Sequence, residues 1–154
     1  MTGSNTTIQV KPGAGHKRLQ VFVGKWHIKG QTKSGAAGQA MIITGTDRYE
    51  WLPGGFFLLH QWEVRIGSEE SKGIEVIGYD ARTRSYPTYS FDNQGNIGTY
   101  QASIHDGKWA FRSRSERATV QISEDGNTIT ANWEHLADGL NWQPWMEVKL
   151  KKAS

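Results

Sequence analysis

Apolar and polar residues alternate along most of this chain, in short runs separated by turn-forming residues. The breaks include Asn93-Gln94-Gly95, Asp106-Gly107, Asp125-Gly126-Asn127 and Asp138-Gly139, which are typical of tight turns. The runs predict about ten strands: Trp26–Gln31, Gly38–Trp51, Phe56–Ile66, Ile74–Asp80, Ser85–Asp92, Ile97–His105, Lys108–Ser115, Thr119–Ser123, Thr128–Leu136 and Trp142–Leu150. Because connections this short leave no room for crossover helices, we expect the strands to be antiparallel.

A single segment has the period of a helix. Leu19, Phe22 and Val23 stand at positions i, i+3 and i+4, and Gly24 is placed to end the helix. A short amphipathic helix directly before the first strand suits a closed barrel, whose open end needs a cover. The pattern therefore predicts an all-β fold, an antiparallel up-and-down β-barrel of about ten strands with one short N-terminal helix closing an end.

The chain of 154 residues has the usual length of one domain. Residues 1–14 are polar and rich in glycine and predict a flexible lead-in, followed by a single barrel domain over residues 15–152. The first residues lack the basic start and apolar stretch of a secretory signal, and no apolar run approaches membrane-spanning length. We expect a cytoplasmic protein without membrane insertion; an exported protein whose signal has been removed is the alternative.

Composition narrows the classes of partner. Hydrophobic residues make up 36% and charged residues 21%, and the formal net charge is +3, which is ordinary for a soluble globular domain. The basic residues are scattered rather than concentrated in a stripe, which argues against a nucleic-acid partner. The sequence contains no cysteine, which excludes disulfides and cysteine-based metal sites. Seven tryptophans, five tyrosines and five phenylalanines are enough to fill a core and also line an apolar ligand pocket.

The segment Phe22-Val23-Gly24-Lys25-Trp26 supplies a Gly-x-Trp motif at the start of the first predicted strand. This motif resembles the signature of the calycin superfamily, which includes lipocalins, fatty-acid-binding proteins and nitrobindins. The resemblance implies a barrel whose floor is closed by the tryptophan, here Trp26. The chain departs from classical lipocalins, which place an arginine of the last strand over that tryptophan, because its last strand offers Lys149, Lys151 and Lys152 instead.

Three further elements follow in order: Leu52-Pro-Gly-Gly-Phe-Phe-Leu58, Ile77-Gly-Tyr-Asp80, and Asp92 with Gly95. Together with the Gly-x-Trp motif they resemble a bacterial lipocalin-like family called domain of unknown function 1579. The similarity extends from about Leu19 to Leu150. That family has no settled common activity, so the resemblance implies a fold and leaves the function open.

Strand phase predicts which side chains face the interior, because successive side chains point to opposite faces of a sheet. The more apolar phase of the third strand carries His60 and Trp62, and that of the ninth carries Trp133 and His135. In the last strand, Trp142, Met146, Val148 and Leu150 share one phase. We therefore predict a cavity between Trp62, Trp133, Trp142 and Met146, with both histidines pointing into it.

The two interior histidines have two interpretations. They are either hydrogen-bonded core residues or polar anchors that orient a ligand in an apolar cavity. Burial disfavours a charged imidazole, so we expect each to be neutral. Tyr79 and Tyr100 are candidates for additional hydroxyl groups, although the phases of their strands are less decisive. Glu75 shares the phase of Tyr79; we interpret it as a surface residue in a salt bridge, with an inward carboxylate as the alternative.

Motifs of several enzyme classes are missing from the sequence. We find no Ser/His/Asp order, no nucleophile elbow and no phosphate-binding glycine loop. We predict no metal site, because no third ligand accompanies His60 and His135 at a suitable spacing.

The leading hypothesis is a binding protein that holds a small hydrophobic or aromatic molecule in the barrel. Its predicted ligand-binding residues are His60, Trp62, Tyr79, Tyr100, Trp133, His135, Trp142 and Met146. The first alternative is an enzyme of the cyclase, isomerase or decarboxylase type, in which His60 or His135 acts as acid or base and Tyr79 or Tyr100 assists. The second is haem binding in the manner of nitrobindins, with His135 or His60 as axial ligand. Otherwise we predict no cofactor, and exposed strand edges are compatible with a homodimer.

Overall fold

Ten antiparallel strands form a closed barrel in the computed structural model, which describes residues 10–33 and 38–153. The strands are β1 (Gly24–Thr32), β2 (Ile42–Trp51), β3 (Leu58–Ile66), β4 (Glu69–Ile77), β5 (Tyr86–Asp92), β6 (Ile97–His105), β7 (Lys108–Arg112), β8 (Glu116–Ile122), β9 (Thr128–Leu136) and β10 (Trp142–Lys152). Each strand pairs with the next along the chain, and β1 pairs with β10. The predicted up-and-down barrel is confirmed.

Closure of the barrel removes the free strand edges on which the expectation of a homodimer rested. Residues from Trp26 to Thr32 of β1 pair with residues from Lys152 to Met146 of β10. Every strand of the described barrel therefore has a hydrogen-bonded neighbour on each side, and edge-to-edge pairing with a second copy has no structural basis.

Two strands begin three or more residues earlier than the sequence pattern predicts. Strand β4 starts at Glu69 instead of Ile74, and β8 starts at Glu116 instead of Thr119. The first half of β4 is polar and mostly exposed, so it lacks the apolar alternation of a half-buried strand. The turn before β8 contains no glycine, but the Ser113 hydroxyl oxygen accepts the backbone N–H of Glu116 at 3.0 Å and so stabilises it.

The N-terminal segment covers one end of the barrel. The predicted helix is an α-helical turn, α1 (Ala14–Lys17), followed by a 3-10 helix over Arg18–Phe22. Leu19 and Phe22 are buried beneath it, and Gly24, with φ of 134°, turns the chain into β1 in a conformation that favours glycine. Residues 1–9 of the predicted lead-in lie outside the described residues. No helix in the described part of the chain has the length and apolar character to cross a membrane.

Trp26 forms the floor of the barrel, as the Gly-x-Trp resemblance implies. Its side chain is fully buried, and its indole Nε1 donates a hydrogen bond to the Phe22 carbonyl oxygen at 2.8 Å. The Tyr86 hydroxyl donates to the Gly15 carbonyl oxygen at 2.6 Å and holds the helical cover from the opposite wall. The packed core is concentrated at this closed end.

The opposite end is the mouth of the barrel. Because the strands alternate in direction, the connections β3–β4, β5–β6, β7–β8 and β9–β10 all lie there. These connections span residues 67–68, 93–96, 113–115 and 137–141.

Candidate ligand-binding cavity

The interior of the barrel contains a cavity of about 990 Å³, a volume typical of sites for small molecules. Aliphatic side chains form much of its wall: Ile28, Ile43, Val64, Ile66, Met146, Val148 and Leu150. Three tryptophans also line it: Trp62, Trp133 and Trp145. The chain can therefore surround an apolar molecule on several sides.

A histidine held between two carboxylates lies in the cavity wall. His60 Nε2 is 2.7 Å from Asp47 Oδ1, and His60 Nδ1 is 3.0 Å from Glu75 Oε1. The pairing of the strands brings these three residues together. Glu75 on β4 lies directly opposite His60 on β3. Asp47 lies two residues before the residue of β2 that is opposite His60. Tyr49, directly opposite His60 on β2, stacks on the imidazole with ring centroids 4.1 Å apart.

His60 carries a positive charge at neutral pH. Burial lowers the pKa of its imidazole, but the charge and hydrogen bond of Asp47, together with those of Glu75, outweigh burial and raise the pKa to about 10. The expected neutral histidine is therefore wrong, because strand phase reveals burial but not cross-strand partners. Both ring N–H groups donate to carboxylates, and neither nitrogen has a lone pair for other contacts.

Asp47 and Glu75 were not among the predicted site residues. Glu75 is 8% exposed and faces the cavity, so its interpretation as a surface residue is wrong. Asp47 is 7% exposed and shares its strand phase with Ile43, Tyr49 and Trp51. A carboxylate inside that otherwise apolar alternation is the signal that identifies it in the sequence.

A second polar pair lies in the cavity wall near the mouth. The Tyr100 hydroxyl donates a short hydrogen bond to Glu116 Oε1, and both residues line the cavity. Burial, and then the hydrogen bond to Glu116, raise the pKa of the Tyr100 phenol, which therefore stays protonated. Tyr100 was among the predicted site residues and Glu116 was not, because Glu116 was placed in the break between two predicted strands.

Trp62, Trp133 and Met146 line the cavity as predicted from strand phase, but Trp142 does not. The register of β10 against β9 shifts between Pro144 and Met146, which leaves Trp145 as an extra residue. This bulge reverses the alternation before it. Trp142 therefore lies outside, where Arg117 covers its ring at 4.2 Å, and Trp145 takes the place in the wall that was assigned to Trp142.

His135 and Tyr79 also lie outside the cavity wall. The His135 ring is parallel to Trp145 to within 11°, with centroids 5.4 Å apart, and Trp145 forms the wall in its place. Tyr79 packs at the closed end against His16 and Tyr86, because it follows the last residue of β4. The structure thus brings together His60, Trp62, Tyr100, Trp133 and Met146 of the eight predicted residues.

The described residues do not fit a haem iron held by either predicted histidine. An axial ligand needs a neutral imidazole with a free nitrogen. Both nitrogens of His60 are bonded to carboxylates and its ring is charged, and His135 is outside the cavity lining.

Comparison with known proteins gives a family and a fold. A family model described as a protein of unknown function, DUF1579, matches residues 11–152. The crystal structure of Rv2717c from M. tuberculosis is 12% identical, with a TM-score of 0.66 over 92% of this chain and 99% of that one. The S-type phycobiliprotein lyase CPES from Guillardia theta is 11% identical, with a TM-score of 0.66 over 90% and 92% of the two chains. No curated protein matches the sequence.

Proposed function

This chain belongs to the DUF1579 family, the family that its motifs resemble, and we propose that its barrel is a binding protein for one small molecule with a hydrophobic or aromatic body. The observation that carries this proposal is the cavity of about 990 Å³ in the barrel, with an apolar wall and a few polar groups. Apolar surface supplies affinity in such sites, and convergent polar groups fix the orientation of the ligand.

Several side chains of the cavity wall are held in place by hydrogen bonds, which favours a single orientation of the bound ligand. Asp47, His60 and Glu75 are fixed to one another, and Trp62 is held by a hydrogen bond from its Nε1 to Ser71 Oγ at 3.0 Å. A wall that is ordered before binding costs less conformational entropy when a ligand enters.

Catalysis by His60 is the weaker proposal. A general acid or base must be within hydrogen-bond reach of the substrate proton, and both ring nitrogens of His60 are occupied by carboxylates. Tyr100 has its proton directed to Glu116. These contacts favour binding over acid–base chemistry at the cavity.

Native mass spectrometry of freshly purified protein, followed by denaturing extraction, tests the proposal directly. We expect a complex of one barrel with one small molecule, and the extracted molecule to be apolar or aromatic in its larger part. When added back, the same molecule should quench the fluorescence of the wall tryptophans and be recovered unchanged. Chemical conversion would support the enzyme alternative instead.

Filling part of the cavity should weaken binding. We expect Val148→Phe to weaken binding of the extracted molecule by about tenfold or more, because the added ring occupies the space and overpacking is poorly tolerated. Lys149→Phe is the matched control, since Lys149 is the exposed neighbour on the opposite face of β10. Fluorescence titration measures both variants. Equal affinities for Val148→Phe and the unmodified protein would place the binding site outside the barrel.

A further inference from the structure

We propose that the cavity selects molecules that carry a positively charged amine next to their apolar body. This inference rests on the proposed binding function and specifies the chemical class of the ligand. It is carried by the carboxylates of Asp47, Glu75 and Glu116, which line the cavity.

Each of these carboxylates is bonded through one oxygen. Asp47 Oδ1 and Glu75 Oε1 contact His60, and Glu116 Oε1 accepts from Tyr100. Their second oxygens have no hydrogen-bond donor among the described residues, and no fully buried side-chain polar atom there lacks a partner. None of the three second oxygens is therefore fully buried, and all three residues line the cavity; Asp47 also borders a second pocket that contains Arg48, Gln61 and Glu63. The second oxygens are free to accept hydrogen bonds from a ligand.

The charges in the wall do not cancel. Four carboxylates line the cavity, those of Asp47, Glu75, Asp92 and Glu116, against the His60 imidazolium and the two guanidinium groups of Arg112 and Arg114, which leaves one negative charge. The buried group of Asp47, Glu75 and His60 carries one negative charge by itself. Negative charge in poorly hydrated surroundings is costly unless it is paired. An ammonium group, which has only donors, matches acceptor oxygens in both charge and hydrogen bonding.

The apolar part of the wall also suits a cation with an aromatic or aliphatic body. Trp62, Trp133 and Trp145 line the same cavity as the carboxylates. Indole is the side chain whose ring face attracts cations most strongly, and this attraction increases where water is excluded.

Arg112 and Arg114 place positive charge at the cavity, which opposes the binding of a cationic ligand. They line the mouth of the cavity and have no carboxylate partner within salt-bridge distance in the described chain. They offer a competing site for an anionic ligand, but both side chains are exposed, so water and salt weaken their field. The carboxylates of Asp47 and Glu75 are buried and less screened.

Three probes that share a naphthyl group distinguish a preference for cationic ligands from a preference for neutral or anionic ones. They are naphthylmethylamine, naphthylmethanol and naphthoate, each titrated into the protein by calorimetry at neutral pH. We expect the amine to bind about tenfold or more tightly than the alcohol, as for a hydrogen bond to a charged group. Naphthoate should bind more weakly than the alcohol. Tightest binding by naphthoate, or equal binding of amine and alcohol, would overturn the inference and leave the proposed function standing.

Variants that remove single carboxylates test whether these groups cause the preference for the amine. Glu116→Gln keeps an acceptor for Tyr100 and has no contact with His60, so it should fold and lower the amine-to-alcohol affinity ratio by about threefold or more. Glu75→Gln should do the same, with circular dichroism as the check on its fold. Glu63→Gln on the outer face is the matched control and should leave the ratio unchanged. An unchanged ratio in both cavity variants contradicts the inference, and failure of all three probes to bind counts against the proposed function as well.

Discussion

Replacing Trp26 with alanine should lower the free energy of unfolding by about 3–5 kcal/mol, the range for deleting a large buried aromatic side chain. The indole is fully buried and lies where the helical cover meets the first strand. Its removal leaves a void under Phe22 and deletes the bond from Nε1 to the Phe22 carbonyl oxygen. Urea denaturation followed by circular dichroism measures the loss.

Two further variants divide this effect into its parts. Trp26→Phe keeps much of the packing and loses the hydrogen bond, so it should cost less than the alanine variant. Trp142→Ala removes a tryptophan from the outer face, where it packs against Arg117, and should cost less than either. A loss below about 1 kcal/mol for Trp26→Ala would mean that the residue does not close the barrel.

His60→Gln should destabilise the protein by about 5 kcal/mol near pH 6.5, because removing one partner leaves two carboxylates buried without a cation. The pKa of His60 is raised from 6.5 to about 10 on folding, so the folded state holds a proton that the unfolded state releases between these values. The stabilisation is complete below about pH 6.5 and is lost as the pH rises through 10, by up to about 1.4 kcal/mol per pH unit.

The measurement is the difference in unfolding free energy between the unmodified protein and His60→Gln, taken at intervals from pH 6 to pH 10. The difference should shrink steadily as the pH rises. His27→Gln changes an exposed histidine on β1 and should stay within about 0.5 kcal/mol of the unmodified protein throughout. A difference that is constant with pH would show that His60 is uncharged in the folded protein.

The alternation of apolar residues predicted the barrel because side-chain period and turn chemistry are local properties. The same alternation placed His60, Trp62, Trp133 and Met146 on inward phases. It failed at Trp142, because the bulge before Met146 inserts one residue and reverses the phase. The signal in the sequence is Pro144, because proline inside a sheet is confined to edge strands, strand starts and bulges.

The alternation of side chains along one strand does not predict which residues of the neighbouring strands contact a given side chain. The charge on His60 depends on the strand register. This register places Glu75 of β4 directly opposite His60, and Asp47 two residues before Tyr49, the residue of β2 that is opposite His60. That register is fixed by the whole set of strand pairs and not by any one segment. Glu116 was missed for a different reason, because a turn made of serine and arginine lacks the usual signals.

The pairing of β1 with β10 also bears on how the chain folds. It joins Trp26 to Lys152, and contacts between residues so far apart in sequence form slowly and late. The barrel cannot close until the last strand has emerged from the ribosome, and before then the wall containing Met146 and Val148 does not exist. A ligand that needs this wall binds only the closed barrel, so binding stabilises the product of folding without assisting the earlier steps.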